Sequence, residues 1–113
     1  MDEFQFNTLR ELAKDSKLSQ RDLSKKIGVS LARVNYLVNE LLEKGYIKTK
    51  RFKNSKNKIG YMYILTKKGV SEKITQTQNF LQRKLDEYEK LTQEIEILRQ
   101  ENHENHNSYK KKF

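Results

Sequence analysis

A mainly α fold with one small β-hairpin and a long C-terminal helix is expected from three features of this 113-residue chain. Apolar residues recur at helical spacing on both sides of Gly28. A lysine-rich run over residues 48–58 is bracketed by β-forming residues. Beyond Leu65 no proline interrupts a heptad-like pattern that starts at Val70.

The chain opens with MDEFQFNTLRELAKD, in which Phe6, Leu9, Leu12 and Ala13 share one helical face and suit a first helix that completes a three-helix core. A second helix begins at Ser19, whose hydroxyl can cap free amides, with Asp22 three residues on and favourable at the positive end of the helix dipole. Leu23 and Ile27 give it an apolar face. Gly28 then stands where a chain leaving a helix often needs positive φ, and Val29 is placed to plug the corner. Ser30 caps a third helix, in which Val34, Leu37, Val38 and Leu41 follow the spacing of a half-buried helix that stops at Gly45. Two helices joined by a short glycine-bearing turn are the helix-turn-helix pattern.

With those four apolar residues turned inward, 100° per residue sends Ala32, Arg33, Tyr36, Asn39, Glu40 and Glu43 outward and Asn35 to a flank. Ala32, Arg33, Asn35, Tyr36 and Asn39 become candidate base readers: arginine can pair with guanine, asparagine with adenine, and a small residue admits a thymine methyl. Ser19, Gln20, Ser30, Lys48 and Lys50 are candidate phosphate contacts. Glu40 and Glu43 should lie away from phosphates. A solvated face in an ordinary helical hairpin has the same pattern.

The run KTKRFKNSKNK, Lys48 to Lys58, carries six Lys or Arg and no acid. Between Tyr46-Ile47 and the segment Ile59–Leu65 it reads as a β-hairpin with a cationic tip. Immediately after a recognition helix, such a hairpin is a wing, here Arg51, Lys53, Asn54, Ser55, Lys56, Asn57 and Lys58, suited to a phosphate backbone or an adjacent minor groove. Lysine on an exposed edge strand also blocks aggregation. The acid-free composition favours the anionic partner.

GVSLARVNYLVNELLEKGYI, the basic hairpin and Leu65-Thr66-Lys67-Lys68-Gly69 together resemble the MarR-type winged helix-turn-helix regulators. More narrowly, the stretch from Val29 to Gly69 is similar to the small MarR-like regulators associated with exopolysaccharide genes. The resemblance covers roughly residues 5–100, with VNYL and FKNSKNK its most specific stretches. It implies that Arg33, Asn35 and Tyr36 face the major groove, that Lys53 to Lys58 form the wing tip, and that the regulated genes concern surface polysaccharide. The chain departs from ordinary members in having no long N-terminal helix ahead of the binding domain, so the family's effector pocket is not carried over.

Composition agrees with one compact domain and an appendage: 35% hydrophobic residues do not supply a second core. Residues 1–65 hold fourteen Lys or Arg against seven acids, whereas residues 66–113 hold ten against eight. The net charge of +9 is therefore centred on the reading head, where it would speed encounter with a polyanion. No apolar stretch approaches a bilayer span and no basic amphipathic helix with bulky anchors is evident, so no membrane partner is expected. Without cysteine, disulfides and thiolate chemistry are excluded. An acidic N-terminus without a continuous apolar run argues against a signal peptide and for the cytoplasm.

With Thr66 as its cap, one long helix is expected. Ile74, Leu81, Tyr88 and Ile95 fall at a positions, and Leu91 and Leu98 at d positions. These six are the candidate dimerisation residues, the partner being a second copy. Thr77 and Lys84 are poor d residues, so the first part is expected instead to pack on the domain through Ile74, Phe80, Leu81 and Leu85. The expected divisions are a winged domain over residues 1–66, a dimerisation helix over 67–102 and a flexible basic tail over 103–113. His103 and His106, two imidazoles without suitable partners, are not expected to hold a metal; no cofactor and no catalytic constellation are expected either. Two classes of function use such a fold: a sequence-specific regulator that binds double-stranded DNA as a homodimer on a pseudo-palindromic operator, and a protein-interaction or RNA-binding module docked through its C-terminal helix. The outward face from Ser30 to Asn39 and the acid-free wing favour the first, since docking needs neither.

Overall fold

The computed structural model describes residues 1–53, 56 and 59–112, with side chains through residue 108. Helices α1 (Glu3–Lys14), α2 (Gln20–Ile27) and α3 (Leu31–Glu43) precede strands β1 (Ile47–Lys53) and β2 (Ile59–Leu65), and helix α4 (Lys67–Lys112) closes the chain. The fold is a winged helix-turn-helix followed by a long helix, as the sequence suggested.

Local chemistry sets the boundaries. At α1, Asp2 accepts from the Gln5 amide while the Gln5 side chain returns to the Asp2 amide. Ser19 and Asp22 make the same reciprocal box at α2, satisfying amides that a helix start leaves unpaired. Gly28 ends α2 at φ 78°, and Gly45 follows α3 at φ 76°, both left-handed positions that glycine occupies without a Cβ penalty. Ser30 caps α3 by accepting from the Arg33 amide at 3.1 Å.

The core joins all three helices and the hairpin base. Leu9, Leu12, Leu18, Leu23, Val34, Val38, Leu41 and Ile47 are buried together, with Ile27, Val29, Tyr46 and Leu65 packed against them. Each fully buried leucine is worth about 1.5–3 kcal/mol over an exposed one. One expectation is corrected on α1: Ala13 is exposed, and the buried face is completed by Gln5 and Thr8. Both polar groups are satisfied, Thr8 by donating to the Phe4 carbonyl at 2.7 Å and Gln5 through its cap.

Strands β1 and β2 pair antiparallel from Ile47 opposite Leu65 to Lys53 opposite Ile59. Strand β1 therefore takes in the first part of the basic run, Lys48–Lys53; of the expected wing residues, Asn54, Ser55, Asn57 and Lys58 lie outside the described residues. On its other edge β2 meets the α1–α2 connection, where the Tyr63 amide donates to the Ser16 carbonyl at 3.0 Å.

The first turn of α4 is fastened to the end of α3. Thr66 donates from Oγ1 to the Gly45 carbonyl and accepts from the Gly69 amide, its own amide donates to the Tyr46 carbonyl, and Lys68 Nζ donates to the Lys44 carbonyl. Gly69 is buried there, and a Cβ on it would lie 1.9 Å from the Tyr46 carbonyl oxygen.

Two compact units are present, Met1–Thr77 and a second from Gln78 onward. The helix continues past the division expected at residue 102, to Lys112. Along α4, Phe80 is buried, with the Arg83 guanidinium 4.7 Å over its ring, whereas Ile74, Leu81 and Leu85 are exposed. Among the described residues, no helix is long and apolar enough to cross a membrane.

Candidate nucleic-acid interface

Helix α3 divides as its spacing requires. Val34, Leu37, Val38 and Leu41 are fully buried, and Ala32, Arg33, Asn35, Tyr36 and Asn39 are all exposed on the opposite side. Arg33 lies 5.7 Å from the ring centroids of both Tyr36 and Phe4. A guanidinium against two aromatic faces loses side-chain freedom while its donors stay available. Phe4, from α1, had no place in the sequence reading.

Tyr36 and Glu40 form a second local pair. The Tyr36 hydroxyl donates to the Glu40 carboxylate, which raises the phenol's pKa and, together with the Gln5 amide that also donates to it, holds the Glu40 carboxyl below its ordinary range. Glu40 is accordingly half-buried beside the exposed face of α3 rather than simply turned outward, and Tyr36 is exposed. The Asp2–Gln5 spacing carried a capping signal that sequence reasoning could have used. The pairing of Gln5 with Glu40, thirty-five residues away, left no local signal.

Two of the remaining candidate readers, Asn35 and Asn39, are linked. Asn39 Nδ2 donates to Asn35 Oδ1 at 3.1 Å, Asn35 Nδ2 to Gln20 Oε1 at 3.2 Å, and Gln20 Nε2 to the Tyr63 hydroxyl at 3.3 Å. Gln20, a candidate phosphate contact by sequence, is thus bonded to protein through both ends of its amide. Ser19 and Ser30 accept helix-capping bonds at their hydroxyl oxygens, and their O–H groups remain donors. Asp22, fixed by the Ser19 amide and hydroxyl, has its pKa lowered. Ser19, Gln20, Arg21, Leu31, Ala32 and Asn35 line an open groove of about 700 Å³ between the starts of α2 and α3.

Beside this face, Lys48, Lys50, Arg51 and Lys53 are exposed along β1, and Lys56 is exposed beyond it. Arg51 lies 5.9 Å over the Tyr61 ring across the hairpin, and Lys17 5.3 Å over Phe52. From Lys44 to Ser71 the chain has no acidic residue, so no neighbouring carboxylate on the hairpin opposes this cationic edge.

Three helices, a glycine corner between the second and third, and a cationic two-stranded ribbon define a winged helix-turn-helix domain. Residues 1–48 match the family described as winged helix-turn-helix DNA-binding. Among solved structures the chain is similar to a MarR/EmrR family transcriptional regulator from Acinetobacter sp. ADP1, at 24% identity and a TM-score of 0.62 over 74% of this chain and 58% of that one. It is likewise similar to MarR from E. coli, at 22% identity and a TM-score of 0.60 over 69% and 56% of the two chains. FabT from Streptococcus pneumoniae, solved in complex with DNA, is 22% identical with a TM-score of 0.55 over 76% and 61%. The chain spans less than two thirds of the length of each of these three proteins, and what it shares with them is the fold. The search of curated proteins gave no match.

Proposed function

We propose that this protein is a transcriptional regulator that binds double-stranded DNA sequence-specifically, with α3 in the major groove and the β1–β2 ribbon along the neighbouring backbone. The observation that carries this reading is the juxtaposition of an exposed face bearing Arg33, Asn35 and Asn39 with an acid-free cationic hairpin. A base-reading surface needs donors and acceptors on a helix narrow enough for the groove, and the ribbon supplies sequence-independent attraction to phosphates. The similarity of fold to a MarR/EmrR family regulator and to FabT bound to DNA supports it.

The regulator acts as a homodimer in the cytoplasm. Ile74, Leu81, Tyr88, Leu91, Ile95 and Leu98 are between 41% and 69% exposed in the single chain, a stripe that a second copy would cover. Two reading heads related by a twofold axis suit a pseudo-palindromic operator with half-sites about 34 Å apart. Control of exopolysaccharide genes rests on resemblance to that subgroup.

Binding to duplexes selected from a random library, repeated across a salt series, tests the reading. Selected duplexes should bind at least about a thousandfold more tightly than random ones at physiological salt, and Lys50→Ala or Lys53→Ala should weaken all duplexes alike and flatten the salt slope by about one each. Equal affinity for every duplex, or a preference for single-stranded RNA, would overturn it.

A further inference from the structure

We propose that Gln20 and Tyr63 are specificity-determining positioning residues, which hold the Asn35 side chain in one amide orientation suited to the major-groove edge of adenine. The proposal rests on the DNA-reading function above and deepens it. A primary amide has two N–H donors and two acceptor lone pairs. At Asn35 one donor is engaged by Gln20 Oε1 at 3.2 Å and one lone pair by Asn39 Nδ2 at 3.1 Å. One donor and one acceptor are left on an exposed side chain. Adenine offers the complement, N7 as acceptor and the N6 amino group as donor, whereas guanine offers two acceptors.

The two protein bonds also resist the opposite choice. With Gln20 and Asn39 oriented as they stand, rotating the Asn35 amide alone by 180° would set its oxygen against Gln20 Oε1 and its NH2 against the Asn39 NH2, losing both bonds at once. Gln20 is itself tethered to the Tyr63 hydroxyl at 3.3 Å, and Tyr63 is fixed by its place opposite Thr49 in the hairpin and by its amide bond to Ser16. The ribbon that attracts the backbone therefore also orients a base reader. Leu31 and Ala32, which line the same groove as Asn35, provide apolar contact for a thymine methyl. The preferred contact is an A·T-containing step.

The test uses the full chain and duplexes that the unmodified protein selects from a random library, with 7-deazaadenine replacing individual adenines to remove N7 alone. One adenine in each half-site should be sensitive, costing the unmodified protein roughly tenfold in affinity. Asn35→Ala should be indifferent to that replacement. Gln20→Ala should shrink the tenfold effect to within about twofold, and Tyr63→Phe should shrink it in part, each with the salt slope unchanged. Gln20→Glu keeps the acceptor facing Asn35, so adenine discrimination should return although the added negative charge weakens binding overall. The proposal is overturned if Gln20→Ala weakens every duplex equally and flattens the slope by about one, the behaviour of a phosphate contact. It is also overturned if no adenine N7 matters while selection still yields a defined site, a result that leaves the DNA-reading function standing. Loss of preference among all duplexes in the unmodified protein would remove both.

Discussion

Arg33 is already confined in the single chain. Stacked against Phe4 and Tyr36, its guanidinium loses less freedom on binding than an arginine swinging in solvent. If α3 reads bases as proposed, Arg33→Ala should cost about 1–3 kcal/mol at one base pair of a selected duplex and relax preference there. Phe4→Ala, which leaves the guanidinium in place, should lower affinity by a smaller amount, and competition binding with single-base variants of a selected duplex separates the two. The Tyr36–Glu40 bond makes a pH prediction. Because hydrogen bonding depresses the Glu40 pKa in the folded chain, its stabilisation is present above the ordinary glutamate range and is lost as pH falls through the depressed value. A carboxyl-carbon NMR titration should show Glu40 with a lower midpoint than an unperturbed glutamate, and Tyr36→Phe should move it upward. Such pairings were the part of the site hardest to read from sequence. The exposure of Arg33, Asn35 and Asn39 followed from helical periodicity, but Gln5 with Glu40 and Gln20 with Tyr63 join residues thirty-five and forty-three apart. Only the packed fold brings those polar ends together.

Helix starts and stops were readable because their causes are local. Ser19 with Asp22, Ser30 with the Arg33 amide, and the left-handed Gly28 act within four residues, the range over which a sequence pattern speaks directly about geometry. The hairpin was visible from its β-forming flanks, and the extent of its first strand within the basic run is decided by pairing with β2. The junction between α3 and α4 gives the sharpest prediction for these elements. Gly69→Ala sets a methyl against the Tyr46 carbonyl, and the overpacking should destabilise the domain by about 1–3 kcal/mol in a chemical-denaturation experiment. Ser71→Ala, at an exposed neighbour on the same helix, should change stability by less than about 0.5 kcal/mol.

The whole chain carries its positive excess in residues 1–65 and a nearly balanced remainder with an exposed apolar stripe. On the proposed function, the charge would attract the polyanion and a second copy would cover the stripe. Sedimentation at micromolar concentration should show a dimer, and the double substitution Leu91→Lys, Ile95→Lys should yield a folded monomer with unchanged helix caps but weaker operator binding. A monomeric unmodified protein would remove the homodimer from the proposed function.

The clasp formed by Thr66, Lys68 and Gly69 on the Gly45–Tyr46 corner has a practical corollary for protein engineering. Because those bonds lie wholly within Met1–Thr77, a foreign zipper spliced after Thr77 should inherit a ready-made socket and leave the melting of the N-terminal module intact. The same graft made directly after Leu65 would discard the fastening and should loosen the module it was meant to pair.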